Sequence, residues 1–215
     1  MNNGFLLFKK EAEILEDDYS GLTFEVDCKD STPYLSGNIH LEDEKGVIID
    51  SYRILIKPTP KYPNRFPLVF EIDERIPKNI DWHVFPDGHC CIMTIPEEIL
   101  ICKKGLRLHS FIENQVIPFF FNQKYRELHG YFLKERPHGV AGNAQFFIEL
   151  FKTQDIQIVL KGLDYIRHRN EPNRVSLCFC GSGKKYRKCH RSAYRELSVF
   201  SDDEITLFMK MLSGF

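Results

Sequence analysis

Apolar positions change their period twice along this chain, and each change marks a different kind of element. In residues 5–17, Phe5, Phe8, Ala12 and Leu15 recur at spacings of three and four, the stripe of an amphipathic opening helix. From Leu22 the pattern turns to alternation. "LTFEVDC" (22–28), "YLSGNIHL" (34–41), "VIIDSYRILI" (47–56) and "FPLVFEI" (66–72) read as strands, with "EDEKG" (42–46) as a polar hairpin turn. Four strands in succession with short connections predict an antiparallel meander.

Residues 73–93, "DERIPKNIDWHVFPDGHCCIM", are rich in Pro and Asp and carry no period. A loop of that length inside a compact domain is more often functional than idle. Helical patterning returns with "LHSFIENQVIPFFFNQ" from 107 onward, "GNAQFFIELFK" (142–152) and "DIQIVLKGLDYIRH" (155–168), and Pro118 is expected to split or kink the first of these. "NEPNR" (170–174) reads as a boundary. In "SDDEITLFMKMLSGF", Ser201 and Glu204 have capping-box spacing, Ile205, Phe208 and Leu212 form an apolar face, and Gly214 is the expected stop.

Composition narrows the class. With 215 residues, 43% hydrophobic and 27% charged, the chain suits a globular α+β domain with a small appendage. No apolar run approaches a membrane span, the longest (116–121) being interrupted by Pro118, so no membrane partner is expected. The first residues lack the basic start and long apolar stretch of a signal peptide. Seven cysteines, odd in number and unevenly placed, argue against a disulfide framework and make a reducing cytoplasm the expected setting. Charge is uneven: residues 161–196 hold ten Lys/Arg against three acids, a segment of +7 beside a remainder of −8.

Three of those cysteines crowd into "CFCGSGKKYRKCH". Cys178, Cys180, Cys189 and His190 offer three thiolates and an imidazole, a closed tetrahedral set suited to one structural zinc ion. Gly181 and Gly183 let the intervening backbone turn sharply. The pattern over 178–190 resembles the SEC-C motif, best known from the carboxy-terminal tail of the bacterial preprotein translocase ATPase. That resemblance implies a zinc-stabilised knob that docks a partner. The basic run around Tyr186 could meet an acidic protein face, with nucleic acid the less favoured alternative.

The other candidate chemistry lies in "FPDGHCCIMTIPEE" (85–98). An opening helix, a four-strand meander, then "KYPNRFPLVFEI" and a loop ending Gly-x-x-Cys resemble the ubiquitin-conjugating (UBC) fold. Tyr62, Pro63 and Pro67 stand at that family's Tyr-Pro and following proline, and Cys91 stands three residues past Gly88, where the family carries its nucleophile. The match is closer to divergent bacterial relatives, which occur beside ubiquitin-like proteins and activating enzymes in modification operons, several linked to defence against phage. In the same register Cys90 falls where the family has an inward aliphatic residue. His83 falls on its asparagine and Asp81 on its histidine, so that "DWH" replaces His-Pro-Asn.

The resemblance implies the following division: a conjugating domain at 1–153, a helix and linker at 154–172, the zinc-binding motif at 173–192 and a helical tail at 193–215. It implies a chain that takes a ubiquitin-like protein from an activating enzyme as a thioester on Cys91 and passes it to an amine of a protein target. The opening helix is then the expected docking face for the activating enzyme. A thiolate suits both halves of such a transfer, as nucleophile and as thioester leaving group. His83 could donate to the oxyanion or act as a base. Two other readings stay open: a non-catalytic binding protein on the same fold, as in inactive UBC variants and RWD domains, and a cysteine hydrolase using Cys91 and His83. Cys90 is expected to pack in the core, with a resolving thiol as its other role, and Asp81 is an accessory candidate. His89, Glu97 and Glu98 read as loop polar residues, while His109, Asn122 and His138 lie in segments able to fold over the cysteine.

Overall fold

A computed structural model describes residues 3–214. Its contacts divide the chain into two compact units, one of residues 1–93 and 104–135, the other of residues 94–103 and 136–215.

The first unit is an antiparallel sheet with helices. Helix α1 (Asn3–Asp18) buries Phe8, Ala12 and Leu15, three positions of the expected stripe. Strands β1 (Leu22–Val26), β2 (Pro33–Glu42), β3 (Ile48–Lys57) and β4 (Leu68–Glu71) follow in the order β1-β2-β3-β4, every pair antiparallel, which is the expected meander. Leu35 faces Ile56 and Ile39 faces Tyr52 across β2 and β3, and all four are buried, so alternation placed them on the core face. The polar turn closes where expected, with the Asp43 amide donating to the Val47 carbonyl at 2.9 Å. Strand β4 starts two residues later than its apolar run, because Pro67 has no N–H for the ladder.

Beyond β4 lies a 3₁₀ turn (Ile80–Trp82) and later a long helical stretch. Helix α3 (Leu108–Phe111) runs through a π turn (Ile112–Val116) into α4 (Ile117–His129). The expected effect of Pro118 takes this form. Proline cannot donate to the carbonyl four residues back, at Asn114, and the helix widens just before it. Phe111, Ile112, Val116 and Phe120 are buried, and the Phe120 ring lies 4.7 Å from that of Tyr52 on β3.

The second unit is helical. Helix α2 (Ile95–Lys103), α5 (Gly139–Phe151), α6 (Ile156–Arg167), α7 (Arg191–Leu197) and α8 (Asp202–Leu212) share one apolar core with the cysteine-rich segment. Leu100, Phe147, Phe151, Leu163, Tyr186 and Phe208 all belong to it. Asp155 caps α6 by accepting from the Gln157 amide at 2.9 Å, and Ser201 with Glu204 forms the capping box expected of α8. The helix ends at Leu212, just ahead of Gly214.

This division differs from the expected boundaries. Residues 139–151 were expected to close the first domain, yet α5 belongs to the unit that holds the cysteine-rich segment, because Phe147 and Phe151 are buried in that core. For the same reason the linker helix, cysteine-rich motif and tail are parts of one unit. No helix among the described residues is long and apolar enough to cross a membrane.

Candidate functional site

The thiol candidate sits in the first unit, in the segment expected to be a loop. Much of it is a short ribbon. Val84 pairs with Cys90 as an antiparallel bridge, the Phe85 amide donates to the His89 carbonyl at 2.9 Å, and the Cys91 amide donates to the His83 carbonyl at 2.7 Å. The chain reverses through Pro86–Asp87–Gly88, where Gly88 takes a φ of 92° that a side chain would resist. The returning strand also lies along β4: Phe70 bridges His89, and the Cys90 amide donates to the Val69 carbonyl at 2.7 Å. Sequence offered no period here because so short a ribbon between turns has none to show.

Alternation along this ribbon sends neighbouring cysteines opposite ways. Cys90 is buried, and burial pushes its thiol up to about 12, so it stays protonated near neutrality. Cys91 is half-buried. Its Sγ and a ring nitrogen of His83 come within 4.8 Å of each other. His83 itself has left-handed backbone (φ 54°, ψ 37°) and ends the 3₁₀ turn, its amide donating to the Ile80 carbonyl at 2.8 Å. Asn, Asp and His tolerate that conformation better than other side chains.

Asp81 is exposed; its amide donates to the Asn79 side chain and its carbonyl accepts from Arg126. His89 bonds Asp87 through Nδ1 at 2.6 Å and stacks on Phe85. Asn122 is held by the backbone of Leu133 and Lys134, and His109 pairs with Glu113 at 3.2 Å. Tyr62, the tyrosine of the Tyr-Pro pair, is buried and donates its hydroxyl to Glu11 on α1, a structural contact. Glu97 and His138 belong to the second unit, where Glu97 pairs with Arg136 at 2.9 Å.

Sequence reasoning missed the residues behind His83. Gln123 on α4, almost fully buried, donates through Nε2 to the Trp82 carbonyl at 2.8 Å. The Arg126 guanidinium lies over the rings of Trp82 and Phe132, 4.1 and 4.5 Å from their centroids. Phe132 presents its ring edge-on to the His83 imidazole, centroids 4.9 Å apart. The forty or so residues between the turn and α4 left no spacing to find them by.

The second candidate is the cysteine-rich cluster. Residues 176–186 form a tight hairpin in which the Cys178 amide donates to the Lys184 carbonyl at 2.8 Å and the Tyr186 amide to the Ser176 carbonyl at 2.9 Å. Gly181 and Gly183 turn it at φ 76° and 72°. The liganding atoms of Cys178, Cys180, Cys189 and His190 all lie within 4.8 Å of one another. Cys178 Sγ to His190 Nδ1 is 3.3 Å, Cys180 Sγ to Cys189 Sγ is 3.6 Å, and Cys189 Sγ to His190 Nδ1 is 3.6 Å. Zinc in a tetrahedron with ordinary bond lengths needs edges of about 3.8 Å between sulfurs and about 3.6 Å from sulfur to nitrogen. The set therefore fits a zinc ion.

Its surroundings fit as well. His190 Nε2 lies 2.7 Å from the Phe151 carbonyl, which can only accept, so Nε2 carries the proton and Nδ1 faces the sulfurs as a lone pair. Burial also lowers the His190 pKa, favouring the neutral ring a metal requires. Phe179 stacks on the imidazole at 5.2 Å. Tyr186, in the middle of the basic run, is fully buried, so it offers no ring for base stacking.

Two comparisons bear on these sites. Residues 176–192 match the SEC-C motif model. No curated protein matches the chain.

Proposed function

We propose that the first unit is a UBC-like conjugating domain and that Cys91 carries a ubiquitin-like protein as a thioester. The observation that supports this most directly is the Cys91–His83 pair, with Sγ and a ring nitrogen within 4.8 Å on a ribbon that buries the neighbouring Cys90. The helix, four-strand meander and thiol-bearing segment follow in the order the UBC resemblance requires.

In this reading the Cys91 thiolate attacks the thioester carbonyl on the activating enzyme. A new C–S bond forms, the activating enzyme's thiolate leaves, and Cys91 holds the acyl group. An amine of the target then attacks. The C–N bond forms, the C–S bond breaks, and the Cys91 thiolate is regenerated while the amine proton passes to His83 or to water. His83 at this distance can serve as donor to the tetrahedral oxyanion or as proton acceptor. A bacterial setting in a modification or anti-phage operon and a cytoplasmic location complete the proposal. In the second unit the four-ligand set holds one structural zinc ion, which ties the hairpin to His190 at the start of α7.

Charging tests the reading. The purified protein, incubated with ATP and the activating enzyme and ubiquitin-like protein encoded beside its gene, should form an adduct cleaved by excess thiol. Cys91→Ala should abolish the adduct and Cys91→Ser should convert it to a thiol-resistant ester. A Cys91→Ala protein that charges as well as wild type ends the nucleophile assignment. No adduct with a cognate set leaves the fold as a non-catalytic binding domain.

A further inference from the structure

The His83 side of the pair is held by residues outside the ribbon that carries Cys91, and those residues form a connected frame. The 3₁₀ turn that presents His83 is gripped from α4 at two successive backbone carbonyls, and from the segment after α4 at the His83 ring itself. Arg126 donates to the Asp81 carbonyl, Gln123 donates to the Trp82 carbonyl, and Phe132 packs on the His83 ring. Phe132 is itself positioned, because Asn122 on α4 accepts from the Leu133 and Lys134 amides at 3.0 and 3.2 Å and donates to the Lys134 carbonyl at 2.7 Å. Arg126 lies across both Trp82 and Phe132, joining the two sides of the grip.

The Gln123 amide is the informative member. The Trp82 carbonyl accepts only, which fixes the amide with its nitrogen toward the turn. Its Oε1 is then buried without a hydrogen-bond partner among the described residues. An orphaned buried acceptor costs folding free energy, because it gives up its hydrogen bond to water and gains none. A Leu or Met would fill this almost fully buried position without that penalty, but would leave the Trp82 carbonyl without the donor Gln123 gives it. The residue present satisfies the turn's carbonyl and leaves its own oxygen unpaired, a local rule broken at the position that holds the turn.

We infer that Gln123, Arg126 and Phe132 are positioning residues that set the His83 imidazole against Cys91, and that they act on the reaction only through His83. This rests on the proposed Cys91 chemistry. Within the first unit, the charged and titratable groups on the turn, on α4 and on the ribbon after the turn include Arg126, Asp81, and His89 with its partner Asp87. The frame therefore controls the ring's place, and the ring controls the thiolate.

The test follows the thiol without requiring any partner protein. Iodoacetamide modification of Cys91 in the full chain is measured across pH 5–10, with the peptide resolved by mass spectrometry so that Cys28, Cys180 and Cys189 do not interfere. A free cysteine titrates near 8.5. Wild type should titrate below that value, and His83→Gln should return it there. Phe132→Leu, which stays apolar but loses the ring, and Gln123→Met, which fills the site but loses the donor, should each move the midpoint more than halfway toward that of His83→Gln. Phe132→Tyr, which keeps the ring, should restore the wild-type profile. Arg126→Lys, which keeps the charge but not the planar stack, should shift it partly.

A low wild-type midpoint that none of the frame variants moves overturns the positioning role and leaves the Cys91–His83 pair standing. A wild-type profile identical to that of His83→Gln overturns the pair and the frame together. Failure of charging with an intact low midpoint removes the conjugation reading and leaves the frame in place. Thermal melting of each variant separates a shifted profile from a lost fold.

Discussion

Gly162 lies inside α6, where glycine is ordinarily a weakness, and replacing it by alanine should destabilise the second unit. In an open helix the substitution gains about 1 kcal/mol, because alanine is the better helix former. Here an added Cβ would fall 2.2 Å from Cε1 and 2.6 Å from Cζ of Phe151, a ring that is 1% exposed. Ring atoms cannot rotate out of such an overlap, so Phe151 or α6 must shift, and overpacking of this kind costs about 1–3 kcal/mol. With Cβ this close to two ring atoms the clash should win, for a net loss of up to about 2 kcal/mol. For a unit of this size that lowers Tm by up to roughly 16 °C.

The Phe151 carbonyl also takes the hydrogen bond of His190 Nε2, so displacing α5 should loosen the metal set. Differential scanning calorimetry of the zinc-loaded protein reads the first effect. The rate of zinc transfer to a colorimetric chelator reads the second. Adding Phe151→Leu to Gly162→Ala should recover part of the loss, with a coupling of at least about 0.5 kcal/mol. A Gly162→Ala protein that melts several degrees higher, with unchanged zinc transfer, would refute the packing argument.

Three further outcomes are expected. Metal analysis should find one zinc per chain, absent after Cys178→Ser with Cys180→Ser, and chelation should lower the melting of the second unit because the hairpin loses its cross-link. On the sheet side, the hydrogen bond from Arg75 is the largest effect on the Asp50 carboxyl and, with that from Lys124, outweighs the opposing effect of burial and holds it well below the usual range. A carboxyl depressed by folding contributes stability above its unfolded pKa of about 4 and loses it as pH falls through its folded value; Asp50→Asn should therefore be less stable than wild type at pH 7, with the gap closing in urea melts toward pH 2. Cys90→Ala should lose about 1–2 kcal/mol in chemical denaturation, from the vacated volume, while Cys91 alkylation proceeds at the wild-type rate.

What could be read from residues alone was what neighbouring residues decide. The meander was legible because Leu35, Ile39, Tyr52 and Ile56 alternate with polar positions. The metal set was legible because its four ligands fall within thirteen residues. Helix α2 was not recognised, since "IPEEILIC" is short, opens near a proline and lacks a clear stripe. Its start did carry a signal: Thr94 and Glu97 have capping-box spacing, and the two side chains bond in the structure. The Cys91 and His83 positions came from register against a family pattern, and their mutual distance could not. Nor could the grouping of helices, because the apolar face of α5 looks the same whichever core it enters.

The interleaving of the two units has a consequence for how the protein is made. Chain synthesis delivers α2 about forty residues before α5, the first large element of its own core, and unit 1 is finished in between. Until then Leu100 lacks the core it belongs to, and the nascent chain must carry that helix without letting it pair wrongly. The same arrangement governs dissection: a cut after residue 135 yields a first half carrying an orphan helix and a second half lacking one. Isolating either unit requires moving residues 94–103 by design, grafted ahead of residue 136 and replaced in the first half by a short linker.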